Sequence, residues 1–140
     1  MASAARLYTS DVLALATSLA AWPFDPDMPF TGQARSQSCG STLALSIAID
    51  DAGKIAGLGL RAQACAIGQA SAAVFARAAV GRTRAEIAVA AEAISSWLGE
   101  GGPEPDWPGI GILAPAASFP ARHGAILLAW KAALDALPTA

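Results

Sequence analysis

The side chains best suited to bind a soft metal or attack sulfur are two cysteines, Cys39 and Cys65, and the only histidine, His123. Cys39 sits in Ser38-Cys39-Gly40-Ser41, where glycine lets the backbone turn and leaves a thiol at a loop tip. Cys65 sits where a strand pattern gives way to a helix pattern. Unpaired N–H groups and partial positive charge at a helix start favour the thiolate, the form that ligates metals. The competing reading of both cysteines is a small buried apolar group, a common fate of free cysteine. His123 offers an imidazole suited to zinc or to one iron of a [2Fe–2S] unit, and its alternative is a solvated or capping histidine. Ser36, Ser38, Ser41 and Ser71 have one distant histidine and no oriented acid, so they read as turn or cap residues rather than nucleophiles. No constellation supports an independent enzyme.

The elements that must position these residues are legible in the periodicity. Thr9 and Ser10 can cap a helix on which Val12, Leu15, Leu19 and Trp22 recur until Pro23 stops it. Pro23, Pro26 and Pro29 then enforce a loop. Between Ser41 and Asp50, Leu43, Leu45, Ile47 and Ile49 alternate with smaller residues, which predicts a strand with one buried face. A turn over Asp50 to Gly53 leads to a second strand over Lys54 to Gln63, weakened by Gly57 and Gly59. A further edge strand is expected before Cys39.

The small-residue run Ala66 to Ala79 predicts a tightly packed helix with Gly81 as its C-cap. Thr83-x-x-Glu86 is a capping box opening a helix whose buried stripe is Ile87, Ala91, Ile94 and Leu98. Gly99 to Ser118 is rich in Gly and Pro but carries Trp107, Ile110, Ile112 and Leu113, so it is expected to be an insertion that packs down. A last helix is expected from about Pro120 to Leu137, with Leu127, Trp130, Leu134 and Leu137 on one face. The sum is an α+β domain: a small antiparallel sheet of about three strands with helices packed on one side.

The 140 residues are in the range of one domain, and 54% hydrophobic residues with 14% charged ones provide for a sizeable core. A net charge of −2 without any Lys/Arg cluster leaves no footprint for gripping phosphates, so no nucleic-acid partner is expected, and the four tryptophans read as packing rather than a base-stacking platform. Val12 to Trp22 behind Arg6 is broken by polar residues and reads as an amphipathic helix rather than a signal segment. Lys131 and Asp135 interrupt the C-terminal apolar region, so no membrane span is expected and the protein is read as cytoplasmic. In that setting two cysteines suit free thiols or metal ligands better than a disulfide framework.

The words around the cysteines carry a family resemblance. Cys39-Gly40 followed by an alternating strand, then Ala64-Cys65-Ala66-Ile67-Gly68-Gln69-Ala70-Ser71, resembles the C-G-D and G-C-x-x-x-x-A-S signatures of the U-type iron–sulfur scaffolds SufU, IscU and the NifU N-terminal domain. Phe119-Pro120-Ala121-Arg122 with Leu128-Ala129-Trp130-Lys131-Ala132 resembles the SufU-type F-P-A-R-x-K-C-A-x-L-x-W-K, and Leu7-Tyr8 resembles the family's opening. The resemblance runs from about Leu7 to Leu137, within a single domain spanning residues 1–140. The insertion at 99–118 is similar to that of SufU, and the L-P-P-V-K of IscU-like members is absent, which makes SufU the nearer branch.

What the resemblance implies is a domain that takes sulfur from a cysteine desulfurase and holds zinc or a nascent [2Fe–2S] cluster on three cysteines and one aspartate. This chain departs from that set. Ser41 stands at the family's aspartate and Ala125 at its third cysteine, the expected sulfur acceptor, so Cys39 and Cys65 are the retained ligands and His123 the candidate third donor. Two expectations follow. One is a scaffold that binds cluster, iron or zinc weakly or through a site shared with a second copy or partner. The other is a metal-free module that binds or regulates a desulfurase or assembly partner.

Overall fold

The computed structural model describes residues 7–37 and 40–139. Cys39 and Ser38 therefore lie outside the described residues. Three antiparallel strands, β1 (Phe30–Arg35), β2 (Thr42–Ile49) and β3 (Ile55–Gln63), form one sheet in the order β1-β2-β3. The register pairs Arg35 with Thr42 and Thr42 with Gln63, so the end of β1, the start of β2 and the end of β3 lie together at one end of the sheet. The helices are α1 (Ser10–Thr17), α2 (Ala66–Ala79), α3 (Arg84–Glu100) and α4 (His123–Ala136), with 3-10 turns at Ser18–Ala21, Ile110–Ser118 and Pro120–Arg122.

Local chemistry explains most boundaries. The Thr9 hydroxyl accepts the Val12 N–H at 3.2 Å and starts α1. The Asp50 carboxylate accepts from the Ala52 and Lys54 N–H groups, both at 2.9 Å, and Gly53 takes a φ of 78°, which closes the β2–β3 hairpin. The expected capping box is formed: the Thr83 hydroxyl accepts from Glu86 N–H while the Glu86 carboxylate accepts from Thr83 N–H. Those bonds, chiefly the backbone one from Thr83, hold the Glu86 carboxyl below its ordinary range.

Three expectations are corrected by packing. The C-terminal helix begins at His123 rather than Pro120, which lies in a 3-10 turn, and it is buried nearly all round rather than on one face. The reason is position: α4 lies on β1 and β2 and is flanked by α2 and α3, so Ala125 to Trp130 are all buried and only Leu134, of the predicted stripe, stays half-exposed. Gly81 does not cap α2. Val80 does so in an extended conformation, while Gly81, with φ of 91°, donates its N–H to Ile55 O at 2.8 Å and ties the turn to β3.

Strand β2 is likewise buried on more than one face at Ser46, because the segment Trp22 to Asp25 crosses there. Asp25 N–H donates to Ser46 Oγ at 3.0 Å, Ser46 Oγ donates to Gly59 O at 3.2 Å, and Leu60 N–H donates to Trp22 O at 2.9 Å. The 99–118 segment contributes Trp107 to the core. Its ring stacks on Phe75 at 5.6 Å and meets the Trp130 edge at 5.2 Å, and its Nε1–H donates to Val74 O at 3.0 Å. Aromatic pairs of this kind add about 0.5–1.5 kcal/mol beyond area burial. Among the described residues no helix is long and apolar enough to cross a membrane.

Candidate functional site

The end of the sheet where β2 begins and β3 finishes, opposite the β2–β3 hairpin, carries the candidate site. Ser41 precedes β2 by one residue and Ala64 follows β3 by one residue, so the Thr42–Gln63 pairing brings them side by side. Ser36 N–H donates to Ser41 O at 2.8 Å and Gly40 N–H donates to Ser36 O at 2.9 Å, which ties the β1–β2 connection back at this end; Gly40 has φ of 70°. Ser41 is buried. Cys65 is the N-cap residue of α2, half-buried, and its thiol is not in a disulfide. The Gln69 side-chain amide donates to Ala64 O at 2.9 Å and clamps the approach to Cys65.

Helix α4 meets this end through its first turn. Gly68 lies three residues after Cys65, about one turn along the same face of α2. A Cβ at Gly68 would sit 3.3 Å from Ala125 Cβ and 3.0 Å from Ala64 Cβ. The glycine therefore lets α4 approach until Ala125 is seated beside the Cys65 turn, with Ala125 itself buried. Ser71 fixes the contact: its hydroxyl donates to the Ile126 carbonyl at 2.7 Å, a fully buried bond between α2 and α4. Ser41, Cys65 and Ala125 thus converge at one end of the molecule from three segments distant in sequence.

His123 is oriented elsewhere. Its Nε2 lies 3.0 Å from Ala116 O and 3.3 Å from Ala117 O, two acceptors that require a proton on that nitrogen. The imidazole caps the 3-10 turn Ile110–Ser118, whereas Ala125, two residues on along α4, faces α2. Residues two apart on a helix do not share a face, so the ring and the Ala125 methyl diverge.

The donor chemistry at this end is sparse. Cys65 supplies a thiol, Ser41 a neutral hydroxyl and Ala125 nothing, and among the described residues no three His, Cys, Asp or Glu side chains are grouped so as to hold a metal ion. These residues do not fit a closed tetrahedral site, which wants four N, S or O donors.

Periodicity and spacing gave no sign that Ser71 and Gln69 bridge segments, although Ser71 is part of the A-S word and is the lone hydroxyl within an Ala-rich helix. Ser71→Ala is expected to lower stability by about 1–3 kcal/mol, because the hydrogen bond to Ile126 is lost inside the core. Urea denaturation measures it. A loss under about 0.5 kcal/mol, the range of surface substitutions, would show that the tie contributes little.

A domain described as the NifU-like N terminal domain matches residues 21–110, a span that includes Cys39 and Cys65. Among curated proteins none matches the chain. Among solved structures, the N-terminal part of a nitrogen-fixing NifU-like protein from Brucella abortus is similar with a TM-score of 0.84 at 29% identity, covering 93% of this chain and 91% of that one. FiSufU from the thermophile Fervidobacterium islandicum AW-1, described as an iron–sulfur cluster assembly scaffold protein for the SUF system, shares the fold with a TM-score of 0.84 at 21% identity, covering 97% of this chain and 100% of that one. The matched span is well over half of the chain, and the helical wrapping of a three-stranded antiparallel sheet agrees with it: the chain belongs to the NifU-like N-terminal domain family.

Proposed function

We propose that the chain serves iron–sulfur cluster assembly as a SufU-like scaffold that handles its cargo with two thiols, Cys39 and Cys65, in a site completed by a second copy or an assembly partner. The observation that supports this reading is the convergence of Ser41, Cys65 and Ala125, positions where the family resemblance implies ligands, at one end of the sheet. On this reading the three positions keep their places in the fold while serine and alanine stand where the resemblance implies an aspartate and a cysteine. Two thiolates from each of two chains would supply the four sulfurs that a [2Fe–2S] cluster takes. A cysteine desulfurase is the partner the resemblance implies as sulfur donor. The role asks for holding rather than catalysis, and His123 is left out of the ligand set because its ring is turned toward the Ile110–Ser118 turn, two helix positions from the face that carries Ala125.

A metal-free module that binds a desulfurase or another assembly partner is the second reading. It is favoured by the close approach of the buried Ala125 methyl to Gly68, where a ligand would be wanted. Protein purified without oxygen, analysed for iron, sulfide and zinc with thiol titration and native mass, separates the two. The expected result is weak metal in the monomer and one cluster per two chains, abolished by Cys39→Ser or Cys65→Ser and unmoved by His123→Ala. No cluster under any condition, with both thiols freely titrating, favours the metal-free module. Tight stoichiometric zinc in a strict monomer contradicts the proposal.

A further inference from the structure

Far from the thiol end, α1, the C-terminal half of α2 and the inserted segment enclose an open cleft of about 540 Å³. Arg77, on its wall, is twelve residues beyond Cys65, about 18 Å along α2 at 1.5 Å per residue. The size is within the range of small-molecule sites. Leu15, Val74 and Ile112 give an apolar floor. Gly109 and Gly111 line one rim, and nothing lies within 4 Å of the position a Gly109 Cβ would take, so the rim is open at Gly109.

Two charges of opposite sign face this space, Asp11 from α1 and Arg77 from α2, and they form no ion pair with each other or with any other described residue. A carboxylate ligand alone would meet Arg77 but be opposed by Asp11. An amine alone would be opposed by Arg77. A ligand carrying both charges on an apolar body satisfies each wall and covers the floor.

We propose that this cleft binds a small zwitterion with an apolar body, as an apolar α-amino acid presents, its carboxylate toward Arg77 and its ammonium toward Asp11. The site is independent of the thiol chemistry. It is tested by following amide resonances of the ¹⁵N-labelled protein during titration with L-phenylalanine, with phenethylamine and 3-phenylpropionate as single-charge probes. Saturable shifts are expected for L-phenylalanine in α1, the C-terminal half of α2 and residues 108–112, and the two other probes should bind less tightly. Arg77→Met and Asp11→Asn, both at exposed positions, should each weaken L-phenylalanine by about tenfold, the scale of one charge-assisted hydrogen bond. Absence of saturable shifts up to about 10 mM, equal binding of a single-charge probe, or indifference to both substitutions overturns the proposal.

Discussion

The double variant Ser41→Asp, Ala125→Cys is expected to bind zinc at least about 100-fold more tightly than the parent protein or either single variant, since loss of even outer-shell partners shifts metal affinity by roughly 10–100-fold. The argument is geometric. Ser41 is brought beside the Cys65 approach by the β2–β3 register, and Ala125 is held against the first turn of α2 by Gly68 and Ser71. Gly68, which faces Ala125 from α2, carries no side chain to oppose an added sulfur from that direction. A third ligand fixes the ion and a fourth excludes water, so neither change alone closes the shell. Competition with a chromophoric chelator measures the affinity. A second signature comes from stability. Position 41 is buried, so an aspartate there without metal is costly, and zinc at 100 times its dissociation constant should restore about 2.7 kcal/mol. If the double variant binds no better than the parent, the backbone around the site has diverged, and the metal-free module becomes the better account.

How much of this was legible in the sequence follows from how local each signal is. The alternation of Leu43, Leu45 and Ile47 located β2 because a pleated strand shows its two faces in turn, and Thr83-x-x-Glu86 located the start of α3 because a capping box is complete within four residues. The burial of α4 was not legible. A single stripe is what a helix shows when it packs on one layer, whereas α4 has the sheet on one side and two helices on others, and its alanines serve contacts that a hydrophobic stripe does not distinguish. The role of Gly81 was misread for a similar reason: a glycine after a helix is most often its cap, and here a long-range bond to Ile55 takes that residue instead. At the candidate site, Cys65 and Ala125 are separated by sixty residues and only the family resemblance linked them, because what joins them is the absence of a side chain at Gly68 and one hydroxyl at Ser71. His123 drew attention by its chemistry, while its carbonyl partners belong to a 3-10 turn that Pro115 and the surrounding small residues made hard to foresee.

Replacing Gly32 by alanine is expected to cost about 3 kcal/mol or more, at the upper end of what overpacking a core does. Gly32 lies in β1 where α4 crosses the sheet, and a Cβ there would collide with the Ala132 carbonyl oxygen and come within 2.6 Å of Ala136 N. Both obstacles are helix backbone. A side chain can rotate away from a clash, but a backbone carbonyl engaged in a helix can move only with the helix, so strand and helix must separate. Separation also stretches the bond in which Gln33 N–H donates to the Asp135 carboxylate at 2.9 Å, the next tie along the same crossing. Gly57→Ala in β3 is the matched control: nothing lies within 4 Å of its Cβ position, so the same substitution there should change stability by less than about 1 kcal/mol and can be favourable through the reduced freedom of the unfolded chain. Urea midpoints at an unchanged slope measure both. The consequence reaches the site, because α4 carries Ala125 on the same rigid rod that Gly32 seats. Gly32→Ala placed on the Ser41→Asp, Ala125→Cys background should therefore weaken zinc as well as stability, while Gly57→Ala should leave zinc affinity unchanged. Equal stability of the two glycine variants would show that α4 is not held against β1 at this crossing, and with it would go the placement of Ala125 beside Cys65.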